Sequence, residues 1–226
     1  MSTTAAEKMT KARANLVMLH PFFGTLALRQ RIIPAPGLKT MMTNGYNIWY
    51  DPAWVDKLSL SQVTGVIAHE VMHTACNHSS RMGDRDPEKW NVAGDYVIND
   101  ILLNNNFDLP PCRLHDPQYA NMSAEEVYSK LPPRPPGKGK GNPDPGGCGG
   151  VYPAPTKPGQ TQAEANNELE TEIKMAIAQA AHAARQRGDF SADLERLVGD
   201  ILQPVIPWKQ VLRRFATASK RRLWST

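Results

Sequence analysis

Apolar and polar residues follow helical spacing over most of the chain. Before residue 131 this pattern predicts four helices, over residues 4–30, 61–79, 87–104 and 123–130. The His20-Pro21 step should kink or end the first helix, because a residue before proline avoids the helical conformation. Asp86, Pro87 and Glu88 mark a clear start of the third helix, with an N-cap, a proline at the first position and an acid in the first turn.

One short stretch has the spacing of strands instead. Residues 39–43 and 46–50 flank Asn44-Gly45, a dipeptide suited to the positive φ angles of a two-residue turn, so they predict a β-hairpin. An extended peptide could add to either strand at a free edge of the sheet. The pattern as a whole predicts an α+β fold that is mainly helical with a small hairpin or sheet.

Residues 131–160 interrupt these patterns, because nine of the thirty are proline and eight are glycine. Such a segment cannot form a helix or a central strand, and it is typical of a linker or a long surface loop. Helical spacing returns from Gln162 to Gly188, and Ser191 caps a further helix. We therefore divide the chain into a domain over residues 1–130, a linker over 131–160 and a helical C-terminal segment over 161–226 that packs on or extends the domain.

The basic residues are concentrated at the C-terminus. The last eighteen residues hold six bases and no acid, whereas the first 208 carry 20 bases against 22 acids. This tail lacks the alternating aromatic and basic residues that would favour nucleic-acid binding. No stretch approaches the roughly 18–20 apolar residues of a membrane span, and three scattered cysteines argue against a disulfide framework. We expect a soluble cytoplasmic protein with no membrane partner.

The stretch from Ile67 to His73 is the most informative about chemistry. His69 and His73 are four residues apart on a predicted helix, so their imidazoles lie on one face, about 40° apart, and can bind one zinc ion. Glu70 lies near enough to act on a metal-bound water without being a ligand. The surrounding helix is apolar, where an unpartnered histidine or glutamate would cost about 1–3 kcal/mol. The alternative is a pair of satisfied core histidines with a surface glutamate.

The 87–104 helix offers a third ligand. In the segment WNVAGDYVINDILL, Asn91, Asp95 and Asn99 form a single polar stripe at four-residue spacing. Asp95 is the natural anionic ligand and leaves a fourth zinc position open for water. Asn99 could hydrogen-bond a ligating histidine and fix its tautomer, or it could simply begin the polar end of the helix.

Two other residues are auxiliary candidates. His115, in a loop, could swing in as the third ligand or as an oxyanion donor. Cys148, in a glycine-rich stretch, could bind the open zinc position as a thiolate and hold the site latent, or it could be a free exposed thiol. His78 lies about 180° round the predicted helix from His69, so we expect it to face away from the metal in a surface or capping role.

The chain resembles the bacterial metallopeptidase-like domain family that commonly precedes a von Willebrand factor A-like domain. The resemblance is carried by the segments TNGYNIWYDP, GVIAHEVMHTACNHSSR, WNVAGDYVIND, NMSAEEVYSKL and VIPWKQVLRRF. It implies a zincin-like fold with a small sheet over the helix of the His-Glu-x-x-His (HExxH) motif and a backing helix that gives the third ligand. This arrangement is similar to the gluzincins, with aspartate in place of their glutamate. The resemblance also implies a von Willebrand A-like domain or an associated ATPase as partner.

Two functions remain open. The first is a zinc-dependent metallopeptidase that acts on a peptide or protein substrate with Glu70 as general base. The second is a catalytically silent zinc-containing binding or adaptor domain. Glu70 favours the enzyme, because a structural zinc site needs no base and normally closes with four protein ligands.

Overall fold

The computed structural model describes residues 4–133 and 151–203, which form a mainly helical α+β fold with a three-stranded sheet. The predicted fold class is therefore confirmed. The helices are α1 Ala5–Leu19, α2 Pro21–Ala27, α3 Pro52–Val55, α4 Leu60–Ala75, α5 His78–Arg81, α6 Pro87–Asn104, α7 Ala124–Lys130, α8 Gln162–Gln186 and α9 Ala192–Leu202, with a 3₁₀ turn at Pro117–Tyr119. The strands are β1 Arg31–Pro34, β2 Met41–Thr43 and β3 Asn47–Tyr50.

Some predictions concern residues that are not described. These are most of the predicted linker, from residue 134 to residue 150, and the basic tail from residue 204 onward. In the part of the chain that is described, no helix combines the length and the apolar character needed to cross a bilayer.

The predicted N-terminal helix is broken where proline predicts a break, because α1 ends at Leu19 and α2 begins at Pro21. Its predicted C-terminal end is wrong. The helix stops at Ala27, and β1 follows in parallel pairing with β3, with Ile32 opposite Ile48. A four-residue strand whose partner lies sixteen residues away depends on non-local hydrogen bonds, which local spacing does not report.

The β2–β3 hairpin is confirmed, but its predicted two-residue turn at Asn44-Gly45 is wrong, because Thr43 pairs with Ile48 and residues 44–47 lie between them. The two strands pair antiparallel with Met42 opposite Trp49, and Gly45 has a φ of +93° in the turn between them. The sheet order is β1-β3-β2, so β3 is central and residues 46–50 cannot accept a peptide as an added strand. On β2, the backbone N–H of Tyr152 already donates to the carbonyl of Thr43 (2.8 Å). The hypothesis that a substrate peptide adds to the hairpin is thus wrong for β3. On β2, a peptide would compete with Tyr152 for the carbonyl of Thr43.

Helix α4 is buried on nearly every side. A capping box of Ser59 and Gln62 starts it, and it contacts α1, α2, α6, α8 and β2. Ile67 is fully buried in a core that also contains Leu16 of α1 and Ile177 of α8. The core therefore joins elements from both sides of the undescribed segment 134–150, and α4 lies at its centre.

Gly65 permits one of the closest backbone approaches to α4. A Cβ atom at this position would lie 2.2 Å from the carbonyl oxygen of Asp108 and 3.0 Å from Cδ2 of Leu109. Because a backbone oxygen cannot move without moving its loop, a larger residue here would force α4 away from the chain that follows α6.

We predict that Gly65→Ala destabilises the protein by about 1–3 kcal/mol through overpacking, although alanine favours helices by about 1 kcal/mol. Gly199→Ala on α9 is the matched control, because a Cβ there meets nothing within 4 Å. This control should stabilise the protein by about 0.5–1 kcal/mol. Urea unfolding of the two variants and the wild type measures both effects, and equal or greater stability of Gly65→Ala would contradict the close contact.

Candidate metal centre

Three buried side chains from α4 and α6 meet at one point. The Nε2 atoms of His69 and His73 lie 2.9 Å apart. Oδ1 of Asp95 lies 3.0 Å from Nε2 of His73 and 3.4 Å from Nε2 of His69. Each of the three residues is 1% exposed. The packing of α4 on α6 thus brings together the three side chains that the sequence proposes as ligands.

This arrangement fits a metal ion. The Nε2 atoms of both histidines and Oδ1 of Asp95 surround one small space, and a cation there would be attracted by all three donor atoms. Donor atoms about 2.0–2.2 Å from a tetrahedral metal ion stand about 3.3–3.6 Å apart; one observed separation, 3.4 Å, lies in this range, and the other two, 2.9 and 3.0 Å, are a few tenths of an ångström shorter. Among the described residues, His69, His73 and Asp95 are the one group of three or more that could hold a metal ion.

The ring of His69 is oriented through Asn99. The Nδ2 group of Asn99 donates to the carbonyl of Leu114 (2.8 Å), so its Oδ1 faces Nδ1 of His69 at 2.9 Å. An amide oxygen can only accept, so Nδ1 of His69 must carry the hydrogen. The neutral ring then has its lone pair on Nε2, which points at the candidate metal position. Asn99 is 1% exposed, so it does not belong to a solvated helix end.

The prediction for His78 is wrong. Its ring is buried, and its Nδ1 lies 3.1 Å from Nδ1 of His73. The helix expected to continue to residue 79 ends at Ala75, and Asn77 adopts a left-handed conformation (φ 52°) that turns the chain back. Asparagine tolerates that conformation better than most residues, so Asn77 was the signal for this turn.

Burial and mutual contact set the charges of the site. Burial lowers the pKa of His73, although its hydrogen bond to Asp95 opposes the shift. Burial also lowers the pKa of His78 far below its usual value. Burial raises the pKa of Asp95, but the hydrogen bonds and charges of the two imidazoles outweigh it and lower that pKa. Metal binding requires a neutral imidazole and an ionised carboxylate, so the lowered pKa values of His73 and Asp95 both favour it.

The remaining candidates lie elsewhere or outside the described residues. Glu70 is fully buried on α4, next to His69 in the chain. Nε2 of His115 lies 3.5 Å from Oδ1 of Asp100, and His115 is not part of the ligand group. Cys148 falls in the undescribed segment.

We predict that purified protein binds about one metal ion per chain, and that His73→Ala and Asp95→Ala lose it, because each removes one of three protein ligands. His182→Ala is the matched control, since His182 is exposed on α8. Plasma mass spectrometry after dialysis measures the metal content. Full metal content in Asp95→Ala would show that the third ligand has been assigned wrongly.

Comparison with known proteins supports the same chemistry. Residues 4–225 match the model of a family described as "Putative metallopeptidase domain". Neither the curated proteins nor the solved structures gave a significant match. The family match includes α4, α6 and every residue of the candidate metal centre. Because it extends over nearly the whole chain, the chain belongs to this metallopeptidase-type domain family.

Proposed function

We propose that the chain is a zinc-dependent metallopeptidase. The observation that carries the proposal is the convergence of two imidazole nitrogens and one carboxylate oxygen at one buried point, with Glu70 next to His69 in the sequence of α4. Two histidines and one carboxylate form a ligand set that catalytic zinc sites use, with a fourth position left for water or substrate. Membership of the family supports hydrolysis of peptide bonds as the reaction.

The protein residues have separate roles in this mechanism. His69, His73 and Asp95 would hold the zinc ion, which supplies Lewis acidity for a substrate carbonyl and for a water molecule. The Glu70 carboxylate accepts a proton from the attacking water and passes it to the nitrogen of the leaving amine. Asn99 keeps the hydrogen of His69 on Nδ1, so that Nε2 remains available as a ligand.

Aspartate as third ligand requires the two helices to be close. Its side chain is one methylene shorter than that of glutamate, so the backbone of α6 must approach α4 more closely to reach the same point. At Gly94, the residue before Asp95, a Cβ would lie 3.5 Å from Cε1 of His73, which is an ordinary contact distance. The backbone of α6 therefore lies close to the ring of His73 on α4 at the position next to the short acid.

One observation favours a second candidate function. His69, Glu70, His73 and Asp95 are each at most 1% exposed, and such burial suits a metal that stabilises a fold. In this alternative the chain is a silent zinc-containing adaptor domain, with a von Willebrand A-like domain or an associated ATPase as its partner. The presence of Glu70 next to His69 in the sequence weighs toward the enzyme, since a structural site has no use for a base there.

Replacing the proposed base separates the two functions. We predict that Glu70→Gln binds about as much zinc as the wild type but loses about 10²–10⁴-fold in peptide turnover, because the amide cannot accept the proton. Glu7→Gln is the control, since Glu7 is an exposed residue of a capping box in which glutamine serves equally well. A peptide library digested by zinc-loaded protein and analysed by mass spectrometry measures turnover.

Two outcomes would contradict the proposal in different ways. Full activity of Glu70→Gln would eliminate Glu70 as the base while leaving a peptidase. Absence of cleavage by the zinc-loaded wild type, together with a large fall in melting temperature when a chelator removes the metal, would favour the adaptor.

A further inference from the structure

The two histidines of the metal centre differ in what lies behind them. Behind His69 is the amide oxygen of Asn99, at 2.9 Å from Nδ1. Behind His73 is a third imidazole, with Nδ1 of His78 at 3.1 Å from its own Nδ1. The Nδ1 to Nδ1 distance is that of a hydrogen bond, so one nitrogen carries the hydrogen and the other accepts it.

We propose that His78 is a positioning residue for His73: its Nδ1 accepts the hydrogen of His73 Nδ1 and so reserves His73 Nε2 for the metal. The inference rests on the proposed metal site but not on peptidase activity. The direction of the hydrogen bond follows from a count of hydrogens. A neutral imidazole carries one, and if Nε2 of His73 is a ligand, that hydrogen must be on Nδ1. The facing nitrogen of His78 can then only accept.

The structure holds His78 in this position from three directions. Asn77, with a φ of 52°, turns the chain back after α4, so that His78 lies near the end of that helix. The indole Nε1 of Trp90 donates to the backbone carbonyl of His78 (2.8 Å), which fixes the main chain at this point. The ring itself lies edge-on to the indole, with 5.8 Å between ring centroids.

Gly94 completes the pocket for the His78 ring. A Cβ at residue 94 would lie 2.7 Å from Nδ1 and 2.8 Å from Cε1 of His78. Any other residue would therefore push the ring away from His73. Helix α6 thus supplies the ligand Asp95, the amide behind His69 and the space for the imidazole behind His73.

His78 can also be distinguished from a fourth ligand. It faces His73 from the side opposite to His69, since His69 and His78 contact the two different nitrogens of the His73 ring. Nε2 of His73 points toward Asp95 and His69, and Nδ1 points toward His78. A metal at Nε2 therefore cannot be shared by His78 Nδ1, and the contribution of His78 passes through His73.

Three variants test whether His78 acts through its acceptor nitrogen or by filling space. His78→Leu removes the acceptor at similar size, whereas His78→Asn retains one, because the amide oxygen of asparagine occupies about the position of Nδ1. His182→Leu makes the same substitution at an exposed histidine. Zinc affinity is measured by competition with a chromophoric chelator, and urea unfolding of the metal-free proteins checks that each variant is folded.

We expect His78→Leu to bind zinc about 10–100-fold more weakly than the wild type, with His78→Asn within a few-fold and His182→Leu unchanged. Long-range ¹H–¹⁵N spectra of the zinc-loaded wild type should show a protonated Nδ1 and a metal-bound Nε2 on His73. Because these measurements use no peptide substrate, their outcome is independent of whether the protein is an enzyme.

Several results would overturn the proposal. Unchanged zinc affinity in His78→Leu, or equal losses in His78→Leu and His78→Asn, would show that the hydrogen bond has no role. A protonated Nε2 on zinc-loaded His73 would reverse the assigned direction. A wild-type protein that binds no zinc would remove both this inference and the metal site, whereas zinc binding without peptide cleavage would remove the proposed function alone.

Discussion

The close packing of α4 against α6 is the constraint on which the candidate site depends. It buries two imidazoles and a carboxylate where water cannot solvate them, so their polar atoms must satisfy one another or bind a cation. The two helices meet along a line of residues that includes His69, His73, Asp95 and Asn99, each 1% exposed. Apolar side chains at this contact would avoid the free-energy cost of burying polar groups. The presence of the polar cluster therefore indicates a function.

The surrounding core explains how the fold tolerates this cost. Helix α4 is enclosed by α1, α2, α8 and β2, and its apolar residues share one continuous core with them. The two histidines of the site face Asp95 and Asn99 of α6. A rigid apolar frame on the other sides holds the His69 and His73 backbones in place, and that frame favours a preformed metal site over one assembled around the ion.

Sequence predicts best what depends on a single helix. The spacing of His69 and His73, and the polar stripe that contains Asp95, follow from helical geometry alone. Their grouping across two helices follows from the need of a zinc site for a third protein ligand. Features that depend on contacts between distant parts of the chain are not predicted by the sequence pattern. β1 exists because β3 lies beside it, and His78 lies behind His73 because the chain turns at Asn77. The sequence pattern extends the helix of His69 beyond Ala75, and such a helix would place the ring of His78 on the side opposite to His69.

The carbonyl of Leu114 limits which changes of sequence the loop after α6 can accept. It is a main-chain group, and through Asn99 it orients a candidate metal ligand without using the side chain of Leu114 at all. A substitution at residue 114 would thus leave this hydrogen bond in place. A change in the length or path of the loop that contains it would not. An insertion or deletion between α6 and the 3₁₀ turn would therefore disturb the orientation of the His69 ring more than most substitutions on the surface of the domain.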